Sequence, residues 1–167
     1  IAQSDYMKNL TFLELSLNGI GDAGARSIAE SPHMKHLKLL YLVANEIGDV
    51  GAIAIAESPY MKHLKSLYLE SNNIRSAGAI AIAQSDYMKD LTSLYLKGNN
   101  IGDVGVKSIA EHMKCLTMLD LGETDIGDAG VIAIATSPGM KYLASLDLES
   151  NNIGDAGAIA IAQSDYM

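Results

Sequence analysis

Residue types that often carry catalysis, cross-links or membrane insertion are scarce in this chain of 167 residues. It has no tryptophan, one phenylalanine and one cysteine, Cys115. A single cysteine excludes an intramolecular disulfide and, with no visible signal peptide, slightly favours a cytoplasmic location. No apolar run approaches the roughly 18 residues of a membrane span. The formal net charge of −8 opposes general attraction to phosphate backbones, so nucleic acid is not expected as a partner.

What the chain does have is a leucine pattern, L-x-x-L-x-L-x-x-N-x-I, repeated along its whole length. The repeats begin at Leu10, Leu37, Leu64, Leu91, Leu116 and Leu143. Successive starts are 27 residues apart, except for 25 residues between Leu91 and Leu116. A fixed period of this size predicts a solenoid, in which each unit buries its apolar face against its neighbours. We therefore predict a single domain over residues 1–167, with both chain ends inside a repeat and without caps.

Each repeat divides into a strand half and a helix half. In the second repeat, the alternation around Leu40 predicts a short strand, and strands at the same phase predict a parallel sheet. We expect the Asn45 amide to bond to backbone groups of adjacent turns. Asp49 is predicted to be the N-cap of a helix whose inward stripe includes Ala52 and Ile55. The equivalent predicted caps are Asp22, Ser76, Asp103, Asp128 and Asp155.

Two further features of the helix half predict local geometry. A glycine recurs near the start of every helix, as at Gly51, although glycine costs up to about 1 kcal/mol in a helix. We infer that a neighbouring helix approaches closely there. The 25-residue spacing arises because two residues are missing between Glu111 and His112, where we expect a shortened exit from the helix.

This pattern resembles the leucine-rich repeat family, specifically its ribonuclease-inhibitor-like class. The likeness rests on the six leucine ladders with the G-D-x-G helix half attached, and it covers essentially the entire chain. The resemblance implies an α/β fold, a right-handed horseshoe with parallel strands on its concave face and helices on its convex face. It also implies that proteins bind to the concave face.

Outward strand positions are the candidate binding site. They are predicted to form two neighbouring columns that include Tyr41, Tyr68, Tyr95, Asp120 and Asp147 in one and Glu70, Lys97 and Glu149 in the other. Our hypothesis is a non-catalytic module in which the tyrosines hold a protein ligand, with a basic segment of that ligand facing Asp120, Asp147 and Glu149. The other interpretation is that tyrosine is simply a good strand former that pairs well across strands.

Two alternatives concern self-assembly and the helices. The seven residues of 1–7 recur unchanged as 161–167, so the chain is either part of a longer array or a unit that stacks end to end through uncapped ends. A mostly apolar column on the helices is interpreted as filling space over the glycines of adjacent helices. That column contains Arg26, Ile53, Ile80, Lys107, Ile132 and Ile159.

Catalytic and metal-binding patterns have little support. His36, His63, Asp90 and Cys115 share one repeat position, but nothing fixes a coordination geometry there, so we predict a solvated edge and no metal. Cys115 and His112 fall in a repeat turn without an orienting group. Asp120 and Asp147 lie on an open sheet that does not exclude water. We predict no enzymatic activity, no catalytic residue and no cofactor.

Overall fold

Six short parallel strands form one open sheet, and a helix follows each strand. The computed structural model describes residues 7–166. The strands are β1 (Phe12–Glu14), β2 (Leu39–Tyr41), β3 (Ser66–Tyr68), β4 (Ser93–Tyr95), β5 (Met118–Asp120) and β6 (Ser145–Asp147). The helices are α1 (Asp22–Ala29), α2 (Asp49–Glu57), α3 (Ser76–Gln84), α4 (Gly102–His112), α5 (Asp128–Ala135) and α6 (Asp155–Ala162). The sheet order is β1-β2-β3-β4-β5-β6, which confirms the predicted α/β solenoid.

Each repeat pairs with the next in strict register, and the core runs between sheet and helices. Leu40 of β2 aligns with Leu13 and Leu67 of the neighbouring strands. Leu40, Leu67 and the helix residues Ala52 and Ile55 are all fully buried, as the apolar pattern predicted. Among residues 7–166, no helix combines the length and apolarity needed to cross a membrane. The outer parts of the predicted domain, residues 1–6 and 167, lie outside the described residues.

The regularly spaced asparagines form a hydrogen-bonded ladder, which is interrupted only in the fifth repeat, where Thr124 takes the asparagine position and its hydroxyl donates to the Leu121 carbonyl oxygen at 2.6 Å. The Asn45 Nδ2 group donates to the carbonyl oxygens of Leu15 and Leu42, each at 3.1 Å. Its Oδ1 atom accepts from the Ile20 N–H at 2.9 Å. Asn72 and Asn99 make equivalent bonds one and two repeats further on. The prediction that these amides bond to adjacent turns is confirmed, and it explains how buried bends satisfy their backbone groups.

The aspartates at the helix starts cap the next helix rather than their own, so the predicted N-caps were wrong. Asp49 Oδ1 accepts hydrogen bonds from the Arg75 and Gly78 N–H groups of the following repeat, both at 2.8 Å. Asp22, Asp103 and Asp128 bond to the next helix in the same way. Because the helices stack with their N-termini aligned, each carboxylate meets unpaired N–H groups and the positive dipole end of its neighbour. We call this arrangement the inter-repeat cap.

The recurring glycine makes room for the inter-repeat cap. A Cβ atom on Gly78 would lie 2.8 Å from Asp49 Oδ1 and 3.0 Å from the Ala52 Cβ of the preceding helix. The inferred close approach of a neighbouring helix is therefore confirmed. Glycine is needed at this position because any larger residue would collide with the preceding helix and displace the capping carboxylate.

The α3–α4 junction lacks the inter-repeat cap. Ser76 takes the place of the capping aspartate, and no side chain within residues 7–166 bonds to the α4 N-terminus as a cap. Gly102 has a left-handed φ of +59°, and its N–H donates to the Thr124 carbonyl oxygen at 3.0 Å. At the other end, α4 continues to His112 and is followed directly by Met113. The missing residues thus remove the 3₁₀ turn that follows α1, α2 and α5.

Candidate binding face

The outward side chains of the six strands form three parallel columns, which together we call the strand face. Strand residues two apart point to the same side, and the register aligns them from strand to strand. The first column is Phe12, Leu39, Ser66, Ser93, Met118 and Ser145. The second is Glu14, Tyr41, Tyr68, Tyr95, Asp120 and Asp147. The third, just past the strands, is Ser16, Val43, Glu70, Lys97, Gly122 and Glu149.

The three tyrosines of the second column form a continuous stack. The ring centroids of Tyr41 and Tyr68 are 3.8 Å apart at an interplanar angle of 9°. Those of Tyr68 and Tyr95 are 4.3 Å apart at 8°. Phe12 leans against the outer face of Tyr41, with centroids 5.4 Å apart. The stacking expected from the sequence is confirmed, and it produces a flat, half-exposed aromatic strip across three repeats.

The hydroxyl groups of Tyr41 and Tyr68 stay protonated throughout the physiological pH range. A hydrogen bond with Tyr68 is the main cause that raises the pKa of Tyr41, to about 12, and burial adds to it. Burial is the main cause that raises the pKa of Tyr68. Tyr41 and Tyr68 therefore offer neutral rings with polar hydroxyl groups, a surface that combines apolar contact with hydrogen bonding.

Glu70 lies beside the tyrosine stack with a carboxylate that is poorly satisfied. Its Oε2 atom is buried and has no hydrogen-bond partner among the described residues. Burial raises the pKa of Glu70 to about 7, and the negative charges of Asp120 and Glu14 act in the same direction. A group of this kind is half ionised near neutral pH, so its charge responds to whatever binds over it.

The acidic part of the strand face begins where the tyrosines end. Asp120 and Asp147 are paired in register on β5 and β6, and each accepts a hydrogen bond from the N–H two residues on. Burial raises the pKa of Asp120, and the nearby Asp147 carboxylate contributes in the same direction. Because these two adjacent carboxylates have no ion-pair partner among the described residues, they create a negative potential that favours a cation.

Lys97 and Glu149, both predicted site residues, form an ion pair with each other. The Lys97 Nζ group bonds to Glu149 Oε1 and lies 3.6 Å from Glu123 Oε1. The pair reaches across the intervening repeat because that repeat has Gly122, where a Cβ atom would lie 3.0 Å from Glu149 Cγ. Glu149 therefore already has an internal cation, unlike Asp120 and Asp147.

The sequence reasoning missed the first column of the strand face. Phe12 and Met118 are 47% and 39% exposed, and the Met118 sulfur accepts a hydrogen bond from the Tyr95 hydroxyl at 3.4 Å. The signal was available, because the residue two positions before each tyrosine must share its face. These side chains extend the apolar strip beyond the tyrosines.

Other candidate positions lie away from the strand face. In the helix column, Ile53 and Ile80 are half-buried in grooves between helices, whereas Ile132 and Ile159 are 38% and 54% exposed. Cys115 is exposed on the edge where the strands begin. Within residues 7–166, histidine, cysteine and carboxylate side chains form no group of three or more able to hold a metal ion.

Comparison with known families agrees with this geometry. The family model described as Leucine Rich repeat matches six segments, at residues 6–29, 33–56, 60–83, 87–110, 112–135 and 139–162. These segments cover most of the chain. A search of curated protein sequences returned no match.

Solved structures similar to this chain include an internalin, which shares its fold, and a plant receptor. An internalin (InlF) from Listeria monocytogenes is 22% identical, with a TM-score of 0.59, and the match covers 98% of this chain and 50% of the internalin. The plant peptide hormone receptor RGFR1 in complex with RGF2 is 21% identical, with a TM-score of 0.46, over 87% of this chain and 29% of the receptor. The chain therefore spans half the length of the internalin and less than a third of the receptor.

Proposed function

This chain belongs to the leucine-rich repeat family, and from that premise we propose that it is a non-catalytic module that binds a protein partner on its strand face. The tyrosine stack carries the proposal. Tyr41, Tyr68 and Tyr95 present a rigid aromatic strip whose side-chain order is already fixed before binding. Large aromatic side chains of this kind supply much of the binding energy at protein interfaces, because little entropy is lost when they are covered.

The charges of the strand face support a specific partner chemistry. We propose that an apolar or aromatic segment of the partner covers the tyrosines while a basic segment faces Asp120 and Asp147. Those two carboxylates have no ion pair among the described residues, whereas Glu149 is occupied by Lys97. Charge complementarity of this kind mainly sets orientation and association rate.

We also propose that the chain is of the ribonuclease-inhibitor-like class within its family. Every described repeat places an α-helix opposite its strand, with lengths from 8 to 11 residues. An experimental structure in which extended or 3₁₀ segments replace these helices would contradict this assignment.

The binding proposal is tested by comparing two tyrosine substitutions. Tyr68→Ala removes the centre of the stack, and Tyr87→Ala removes a tyrosine that is 37% exposed away from the strand face. Each immobilised chain is presented with an extract of its source cells, and proteins retained by the native chain are then purified and their Kd is measured by calorimetry. We expect Tyr68→Ala to weaken binding by about tenfold or more, and Tyr87→Ala to leave it nearly unchanged.

Two outcomes would overturn the proposal. One is an affinity that is equal for the native chain and Tyr68→Ala, which would place the interface elsewhere. The other is concentration-dependent self-association in sedimentation with no retained partner, which would support the end-to-end stacking alternative instead.

A further inference from the structure

A group of four basic side chains lies on the edge of the molecule where β2 and β3 begin. We call His36, Lys38, His63 and Lys65 the basic rim. All four are exposed, and they line a groove together with Asn9 and Thr11. The Lys65 N–H donates to the Lys38 carbonyl oxygen at 2.8 Å, so the two lysines occupy adjacent rungs, roughly 4.8 Å apart by strand spacing.

Compensation of the helix dipoles explains some of the positive charge on this edge, but not the basic rim. The C-termini of α1 to α5 lie toward this edge, and a lysine follows the exit turn of each of these five helices. Those lysines are Lys35, Lys62, Lys89, Lys114 and Lys141. Lysine near a helix C-terminus is favourable, and these five residues match a feature that the repeats share. The basic rim is confined to two neighbouring repeats, so a shared feature cannot account for it.

The basic rim also forgoes contacts that other repeats make at the same positions. Thr92 and Thr117 are the counterparts of Lys38 and Lys65, and their hydroxyl groups donate to the carbonyl oxygens of Lys65 and Thr92, at 3.0 and 3.1 Å. A lysine cannot make this short bond to the preceding repeat. Two lysines on adjacent rungs also repel each other.

Little negative charge within the described residues offsets this repulsion. Lys65 reaches Asp90 at one end of the groove, where its Nζ group donates to the Asp90 carbonyl oxygen at 3.3 Å and lies 3.9 Å from Asp90 Oδ2. Lys38, His36 and His63 form no ion pair with any residue of 7–166. The groove is thus a local concentration of hydrogen-bond donors and cations on a chain whose net charge is −8.

We propose that the basic rim is a binding site for a phosphate monoester dianion. Its three terminal oxygens can accept hydrogen bonds from the lysines of two rungs at once, while the Thr11 hydroxyl and Asn9 amide provide further donors. A dianion also removes the repulsion between Lys38 and Lys65, which a single carboxylate would offset less completely. This site is separate from the tyrosine stack, and its failure would leave the strand-face proposal untouched.

The test is a titration of the ¹⁵N-labelled chain with sodium phosphate, followed by ¹H–¹⁵N NMR at constant ionic strength set with sodium chloride. We expect saturable shifts concentrated at residues 36–38 and 63–65. The double variant Lys38→Gln, Lys65→Gln should weaken phosphate binding by about tenfold. The matched control Lys114→Gln, Lys141→Gln removes the same charge from two other adjacent repeats and should change the affinity by less than about twofold.

Two results of this titration would overturn the proposal. Shifts that grow linearly without saturating, or an equal loss of affinity in both double variants, would mean general attraction to positive charge. A second titration with O-phosphoserine separates the possible sources of the dianion. Tighter binding than inorganic phosphate indicates a phosphorylated side chain, and equal binding indicates free phosphate; either result supports the site. Because all four substituted lysines are exposed, circular dichroism should show native helix content in every variant.

Discussion

Asp49 and Glu70 are both half-buried carboxylates, in the second and third repeats respectively, but they have opposite surroundings. Asp49, at the helix N-termini, accepts two N–H groups of the next repeat at 2.8 Å. Glu70, on the strand face, has a buried Oε2 atom without a hydrogen-bond partner among the described residues, and burial raises its pKa to about 7. The first carboxylate holds two repeats together, whereas the second makes folding less favourable.

This difference separates the scaffold from the surface that we propose binds a partner. On the helix side, the inter-repeat cap satisfies backbone N–H groups at the starts of α2, α3, α5 and α6, and the asparagine side chains do the same at the bends. The exception among the described residues of the helices is Ser108 of α4, whose buried Oγ atom has no hydrogen-bond partner. The strand face instead has stacked rings, the Glu70 carboxylate with its unpaired Oε2 atom, and the adjacent Asp120 and Asp147 carboxylates without an ion pair among the described residues. Sites that bind ligands commonly retain such groups at a cost in stability, since the groups become satisfied only when the ligand arrives.

The largest expected effect comes from breaking the inter-repeat cap. Asp49→Ala leaves the Arg75 and Gly78 N–H groups without their charged acceptor, so the free energy of unfolding should fall by about 2–4 kcal/mol. Asp155→Ala is the matched control, because Asp155 also begins a helix but caps no following helix among the described residues. It should cost less than about 1 kcal/mol. Urea denaturation compares the two, and equal losses would contradict a role for the cap between repeats.

A smaller effect should follow when the cap is introduced where it is missing. Ser76→Asp places a carboxylate opposite the α4 N-terminus and should raise the free energy of unfolding by about 1 kcal/mol. Ser76→Asn has a similar shape without the charge and should gain less. If Ser76→Asp destabilises the chain in urea denaturation, then the left-handed conformation at Gly102 prevents α4 from using a cap.

The smallest effect should come from the ion pair on the strand face. Lys97→Met removes the partner of Glu149, but both side chains are largely exposed, at 36% and 50%. Exposed ion pairs contribute little and are screened by salt. We expect a lower melting temperature at low ionic strength, by less than either change at the helix caps, and no difference at about 0.5 M sodium chloride. A loss that persists at high salt would indicate that the Lys97 stem, rather than its charge, packs across Gly122.

The sequence predicted the features that depend on period alone. Leucine positions such as Leu40 and Leu67, the buried helix stripe and the stacking of Tyr41 on Tyr68 all follow once every repeat has the same pitch. The asparagine ladder followed as well, since a buried bend needs an amide that both donates and accepts.

Features that depend on distances between side chains of different repeats could not be predicted from the repeat period. Asp49 has the usual position of an N-cap, and only the aligned stacking of helices reveals that it caps a neighbour. The Lys97–Glu149 pair joins side chains 52 residues apart, and it forms because Gly122 leaves space between them. The burial of the Glu70 Oε2 atom likewise depends on three-dimensional packing, which no residue pattern encodes.

The most direct test of this account is the pH dependence of unfolding for the native chain and for Glu70→Gln. The ordinary pKa of a glutamate is 4.5 and that of folded Glu70 is about 7. The unfolded chain therefore ionises first, so this group lowers the stability as pH rises from about 4.5 to 7 and adds no further change above that range. After allowance for its partial exposure, Glu70→Gln should raise the free energy of unfolding at pH 8 by about 1–2 kcal/mol and leave it nearly unchanged at pH 4. A Glu70→Gln chain that is equally or less stable at pH 8 would contradict the claim that the strand face carries an unsatisfied carboxylate.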